Sequence, residues 1–220
     1  MSLYLYALVG RPVRRPLGRG LGGETLRLIE VAGLLVVAAR VGDAPRVTPT
    51  ALRRHDATVR RLAGRTDAVL PIRFGTVVGD RLALARALAP RAAGLREALA
   101  LVAGHEQMTL RVYGEAVTTS DETAAESAGA GQRYLARRLR ARRTPEVDPV
   151  RRALRGLVSA ERIERHERPP LLASVYHLVR RGDSKRYLAA VAAASARLAG
   201  VRVSPSGPWP AYAFAPDAVA

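Results

Sequence analysis

From residue 108 onward, two hydrophobic periods alternate in one order, and that order narrows the fold more than any other feature. MTLRVY at 108–113 puts Met108, Leu110 and Val112 on one face, the period-2 pattern of a half-buried strand. QRYLARRLRARR and, after the turn at Pro145, PVRRALRGLV (149–158) read as a helix or helix pair. ERIERHE at 161–167 reads as an edge strand despite its charge, and LLASVYHLV as a central strand. KRYLAAVAAASARLAG predicts a helix ending at Gly200, and VRVSPSGPWPAYAF closes the chain in extended form. The sum is β-α-β-β-α-β, the split pattern of ferredoxin-like folds.

The first half reads β-β-β-α-β-α. LYLYALV at 3–9 is a strand, and RPVRRPLGRGLGG at 11–23 is a Pro/Gly-rich basic loop. LRLIEVAG and LLVVAARVG predict a hairpin broken at Gly33. Thr48 and Pro49 supply the cap and first turn of an amphipathic helix. Its apolar face carries Leu52, His55, Val59 and Leu62; Arg53, Arg54, Arg60 and Arg61 line the other. DAVLPI predicts another strand, and 81–103 a helical segment interrupted at Pro90. The fold class is therefore α+β, in two domains. Residues 1–104 form an antiparallel sheet with helices on one face, and residues 105–220 form the ferredoxin-like part.

The chain has 36 basic and 19 acidic side chains, a net charge of +17. Such a balance points to a nucleic acid, an anionic membrane surface or an acidic protein as partner. The charge is spread: residues 1–104 carry 17 basic and 7 acidic groups, and the remainder 19 and 12. A single dedicated binding stripe is therefore not indicated. Helix 133–143, with six arginines, is the best candidate for a phosphate-binding face. It lacks the interleaved aromatics of an RNA platform, so nucleic-acid binding stands as the alternative reading. With no cysteine, disulfides, thiolate metal sites and cysteine nucleophiles are excluded. MSLYLYALVG lacks the basic n-region of a signal peptide, and LLVVAARV is too short to span a bilayer. A cytoplasmic protein is expected.

No catalytic constellation emerges. His55, His105, His166 and His177 show neither HxxxH nor HExxH spacing, so no metal site is expected. GRGLGG at 18–23 lacks the Lys-Ser/Thr of a P-loop and reads as a flexible surface loop. His55 and Asp56 are adjacent, but neighbours on a helix point about 100° apart and make a poor acid/base pair. His55 and His177 read as core or interface histidines. SGPWPAYAF reads as an edge strand that staples the second domain, with an exposed aromatic anchor as the other reading. No enzyme activity and no cofactor are expected.

AVLPIRFGTVVGD (68–80) raises the sharpest local question, because it sets an arginine between two apolar residues. Strand alternation predicts Phe74 inward and Arg73 toward a carboxylate, backbone carbonyls or the domain interface, as an architectural clamp.

Several pieces in one order resemble the gas vesicle protein GvpF/GvpL family. They are LYLYALVG, GLLVVAARV, the R-H-D-A-T-V helix entry, LPIRFGTVV, GHEQMTLRV, RYLARR, LLASVYHLV and SGPWPAYAF. They cover nearly the whole chain, and LPIRFGT with GPWPAYAF is the specific pair. Asp56 stands where the family commonly has glutamate, and the 114–131 loop is unusually alanine-rich. The resemblance marks Tyr4, Tyr6, His55, Pro71, Arg73, Phe74, Gly75, Glu106, Arg111, Trp209, Tyr212 and Phe214 as signature or partner-binding positions. It implies an accessory protein of gas vesicle formation. The implied partners are the hydrophobic, GvpA-like shell protein and other accessory proteins.

Overall fold

The computed structural model describes residues 1–11, 13, 15–114, 147–198 and 200–216. Helix 133–143 and the loop at 115–131 lie outside the described residues. The chain divides into two compact units. Unit 1 comprises Met1–Glu106 and Trp209–Ala220, and unit 2 comprises Gln107–Pro208. The last residues thus group with unit 1, whereas the sequence reading assigned everything from 105 to 220 to the second domain.

Unit 1 is built on β1 (Ser2–Val9), β2 (Arg27–Val31), β3 (Leu34–Val41), β4 (Val69–Pro71) and the short β5 (Val77–Val78). The sheet order is β2-β3-β1-β4, with β5 also on β1. The β2–β3 hairpin turns through Ala32 and Gly33, whose φ values of 51° and 70° give the two left-handed residues of a tight hairpin. β1 and β3 are buried along nearly their whole length, so both sheet faces are covered. A bulge at Tyr6 interrupts the β1–β3 register between Leu5 and Ala7. It shifts side-chain parity, so Tyr4, Tyr6, Ala7 and Val9 all join one core cluster with Val37, Ala39 and Leu62.

Helix α1 (Pro49–Ala63) starts as expected: Thr48 Oγ1 accepts from the Ala51 N–H at 3.1 Å, with Pro49 in the first turn. His55, Thr58, Val59 and Leu62 are its buried positions. Leu52, expected on that face, is 43% exposed because it lies one turn ahead of the packed stretch. α2 (Arg81–Leu88) and α3 (Ala92–Val102) are separated by a 3-10 turn containing Pro90, where the missing N–H breaks the ladder.

Unit 2 contains β6 (His105–Gly114), α4 (Asp148–Ala153), β7 (Val158–Arg165), β8 (Leu171–Arg180), α5 (Ser184–Ser195) and β9 (Val201–Trp209). The sheet order β7-β8-β6-β9 puts the first and third strands of this half in the centre. Met108, Leu110 and Val112 do share one face, packed with Val175, Val179, Tyr187 and Val191. α5 stops at Ser195, ahead of Gly200, and the 149–158 segment is helical only to Ala153 before β7 begins.

Candidate functional site

The signature residues of unit 1 converge on α1, on two faces of it about 100° apart. The inward side is an aromatic and imidazole cluster. The His55 ring stacks on Tyr6 at 5.3 Å and meets Tyr4 and Phe74 edge-on at 5.7 and 5.6 Å. Its Nε2 lies 3.2 Å from the Ile72 carbonyl, which can only accept, so Nε2 carries the proton. Nδ1 is then the acceptor, and the Tyr4 hydroxyl donates to it at 2.8 Å. The Gly75 N–H donates to the Tyr4 oxygen at 3.3 Å. The chain of bonds is complete: Gly75 N–H to Tyr4, Tyr4 to His55, His55 to Ile72.

Burial sets the protonation states that this requires. It lowers the His55 pKa, outweighing the Ile72 and Asp56 interactions that favour the cation. Burial likewise pushes the Tyr4 hydroxyl up to about 12. Both groups stay neutral at physiological pH. With both ring nitrogens engaged, His55 serves to tie LPIRFGT to β1 and α1.

Arg73 departs from expectation. β4 ends at Pro71, so strand alternation no longer governs Arg73. Residues 73–76 form a turn in which the Thr76 N–H and Oγ1 both donate to the Arg73 carbonyl, at 3.3 and 2.8 Å. Gly75, at φ 86°, supplies the left-handed third position that such a turn needs. The backbone of Arg73 is used while its side chain is exposed, with no partner among the described residues. It is not a clamp. Phe74 does turn inward, onto Tyr4 and His55.

The glycine-rich loop is also not the flexible segment predicted. Tyr6 donates to the Glu24 carboxylate and accepts from the Leu21 N–H at 2.8 Å. The second Glu24 oxygen takes the Gly22 N–H at 2.8 Å, and Arg61 donates to the Arg19 carbonyl. A Cβ at Gly20 would overlap both the Glu24 carboxylate and the Tyr6 hydroxyl, so any larger residue there must displace this network.

The outward side of α1 carries Asp56. Its Oδ2 accepts from Arg60 Nε at 2.6 Å and its Oδ1 from the Tyr212 hydroxyl at 2.8 Å. The Arg60 guanidinium lies over the Trp209 ring, 4.0 Å from its centroid. Burial and the Asp56 carboxylate both raise the Tyr212 pKa. Phe214 is buried in the 3-10 turn Tyr212–Phe214. SGPWPAYAF therefore does two jobs. Its first part ends the edge strand β9 as expected, and its second part straps α1 of unit 1 instead of stapling the second domain. Glu106 is half-buried and Arg111 exposed, both on β6.

Sequence reasoning missed a network in unit 2 that runs from the buried His177 to the surface. His177 Nε2 donates to Glu161 Oε2 at 2.9 Å, and His177 Nδ1 lies 2.7 Å from the Tyr187 hydroxyl. Arg151 donates through Nε and Nη2 to the same carboxylate. Burial alone would raise the Glu161 carboxyl, but His177 and Arg151 outweigh it and hold it at about 2. The available signal was the β7 spacing that places Glu161 opposite His177 in the β7–β8 register.

These features define a class: a two-unit α+β protein whose buried histidines are bound into structural networks, one in each unit. The chain belongs to the family described as gas vesicle synthesis protein GvpL/GvpF, which it matches over residues 2–216. It is 31% identical to gas vesicle protein L of Streptomyces sp. (strain CB03234), over 96% of this chain and 92% of that protein. It is also similar in fold to two crystal structures of gas vesicle protein GvpF, each at 16% identity and a TM-score of 0.73. The one from Microcystis aeruginosa is matched over 98% of this chain and 99% of that one. The one from Anabaena sp. PCC7120 is matched over 98% and 96%. Among the described residues no helix is long and apolar enough to cross a membrane.

Proposed function

We propose that this protein is an assembly factor of gas vesicles that binds the hydrophobic shell subunit and assists its nucleation, without chemical turnover. Membership of the GvpL/GvpF family across residues 2–216 carries this reading. The site geometry supports it. His55, the best-placed titratable group of unit 1, has both ring nitrogens occupied and offers no free base. Arg73 belongs to the most specific signature yet makes no internal contact through its side chain, which leaves it available to a partner. A subunit that builds a β-rich wall exposes apolar surface and strand edges before it assembles, and a binding partner suppresses their premature pairing. The test is co-purification of the tagged protein with the shell subunit, together with vesicle formation in a deletion strain. The expected result is a complex at micromolar concentrations and loss of vesicles. No complex, with normal vesicles after deletion, refutes the reading.

A further inference from the structure

The open edge of β2 is closed at both ends and bare in the middle. Val31 and Leu34 flank the two-residue turn and so form a hydrogen-bonded pair; along β2, Val31, Ile29 and Arg27 then bond toward β3. Leu26, Leu28 and Glu30 direct their backbone groups outward. Two contacts agree with this register. The Leu26 N–H donates to the Gly18 carbonyl at 3.4 Å, and Arg81 Nη2 donates to the Glu30 carbonyl at 2.9 Å. Between these covers, the Leu28 N–H and carbonyl have no partner among the described residues.

Two grooves meet at this bare position. One, of about 920 Å³, is lined by Leu17, Leu26 and Leu28 together with Arg15 and Arg19. The other, of about 510 Å³, shares Arg27 and Leu28 but contains Met1, Leu3 and Ile29. Leu28 packs with the Tyr4–Val37 cluster, whereas Ile29, one residue along, projects to the opposite sheet face. The grooves therefore lie on opposite faces of β2. A strand added to this edge sends alternate side chains to alternate faces. Arg27 has the parity of Ile29 and projects toward the second face, so the first groove takes its charge from Arg15 and Arg19, with no acidic residue in its lining; in the second, Asp80 stands beside Arg40 and Arg81.

We propose that the β2 edge binds an extended segment of a partner protein in which carboxylate and aliphatic side chains alternate. The backbone pairs at Leu28. The carboxylates meet Arg15 and Arg19, and the aliphatic side chains enter the groove beside Leu3 and Ile29. This goes beyond the assembly reading and holds whichever protein supplies the strand.

The test is fluorescence anisotropy of the full chain with a labelled seven-residue peptide of alternating glutamate and valine. Hydrogen exchange is followed on the same sample. Expected are saturable binding, at least tenfold weaker in the Arg15→Glu, Arg19→Glu double variant, and new protection of the Leu28 amide in the unmodified protein. Circular dichroism checks that the variant is folded; the exchange readout stands without any variant. Absence of binding, equal binding of a glutamate-glycine or lysine-valine peptide, or an unprotected Leu28 amide overturns the proposal. So does saturable binding of single-stranded oligothymidylate in place of the peptide, lost in the same variant.

Discussion

The Tyr4 hydroxyl donates to His55 Nδ1 across 51 residues of sequence, at 2.8 Å, in a fully buried setting. Each of the two groups fixes the other's hydrogen-bonding role, because His55 Nε2 is committed to the Ile72 carbonyl. Removing one partner strands the other, and an unsatisfied buried polar group costs about 1–3 kcal/mol. Tyr4→Phe is expected to destabilise the protein by that amount. His55→Ala also loses ring packing against Tyr6 and Phe74, and is expected to cost about 3–4 kcal/mol. Urea unfolding measures both, and a double-mutant cycle should show coupling of at least about 0.5 kcal/mol. Strict additivity would contradict the shared bond.

The same imidazole makes stability depend on pH. Its folded pKa is lowered by burial, so the unfolded chain binds the proton more readily. The contribution is complete above the unfolded value of 6.5 and is lost as pH falls from there toward the folded pKa. The unfolding free energy should decline as pH falls below 6.5, and His55→Gln should flatten that decline. An unchanged slope in the variant would place the effect elsewhere.

Glu161 acts in a lower window. Its carboxyl is held at about 2 against an ordinary 4.5, so its stabilisation is intact above 4.5 and fades as pH falls toward 2. Glu161→Gln should destabilise unit 2 at neutral pH and lose the acid-dependent part of its unfolding. Carboxyl chemical shifts in an NMR titration check the value directly.

Asp56 holds the C-terminal strap, and Trp209 is the only tryptophan, so its fluorescence reports the strap alone. Asp56→Ala should red-shift that emission and speed proteolysis near Tyr212. Asp56→Glu, longer by one methylene, should keep the strap in place. Equal spectra for the unmodified protein and Asp56→Ala would show that the strap is held by Phe214 burial without the carboxylate.

Arg73→Ala should leave stability within about 0.5 kcal/mol, as exposed side chains without partners do. Under the proposed function, the same substitution should weaken retention of the shell subunit. A large loss of stability would restore the clamp rejected above.

The sequence was a good guide wherever periodicity and caps decide the structure. Thr48 and Pro49 mark the start of α1, Gly33 marks the hairpin, and Pro90 marks the helix break, because each acts through its own backbone. It was a poor guide where position depends on distant residues. The bulge at Tyr6 has no local marker, and it is what brings Ala7 and Val9 onto the face of Tyr4. The 18–23 loop looked loose because glycines allow many conformations; Tyr6 and Glu24 remove that freedom from outside the local pattern. Arg73 was misread because the alternation rule was extended two residues beyond the strand. The contact of Tyr212 with Asp56 joins positions 156 apart, and no local period reports it.

The division of unit 1 between Met1–Glu106 and Trp209–Ala220 has a consequence for biosynthesis. Domains generally fold as they leave the ribosome, N-terminal first. Here the half that emerges first must wait, its α1 surface uncovered, while about a hundred further residues are translated. Unit 1 is begun before unit 2 and completed after it, and Asp56 meets Tyr212 only once residues 107–208 have been made.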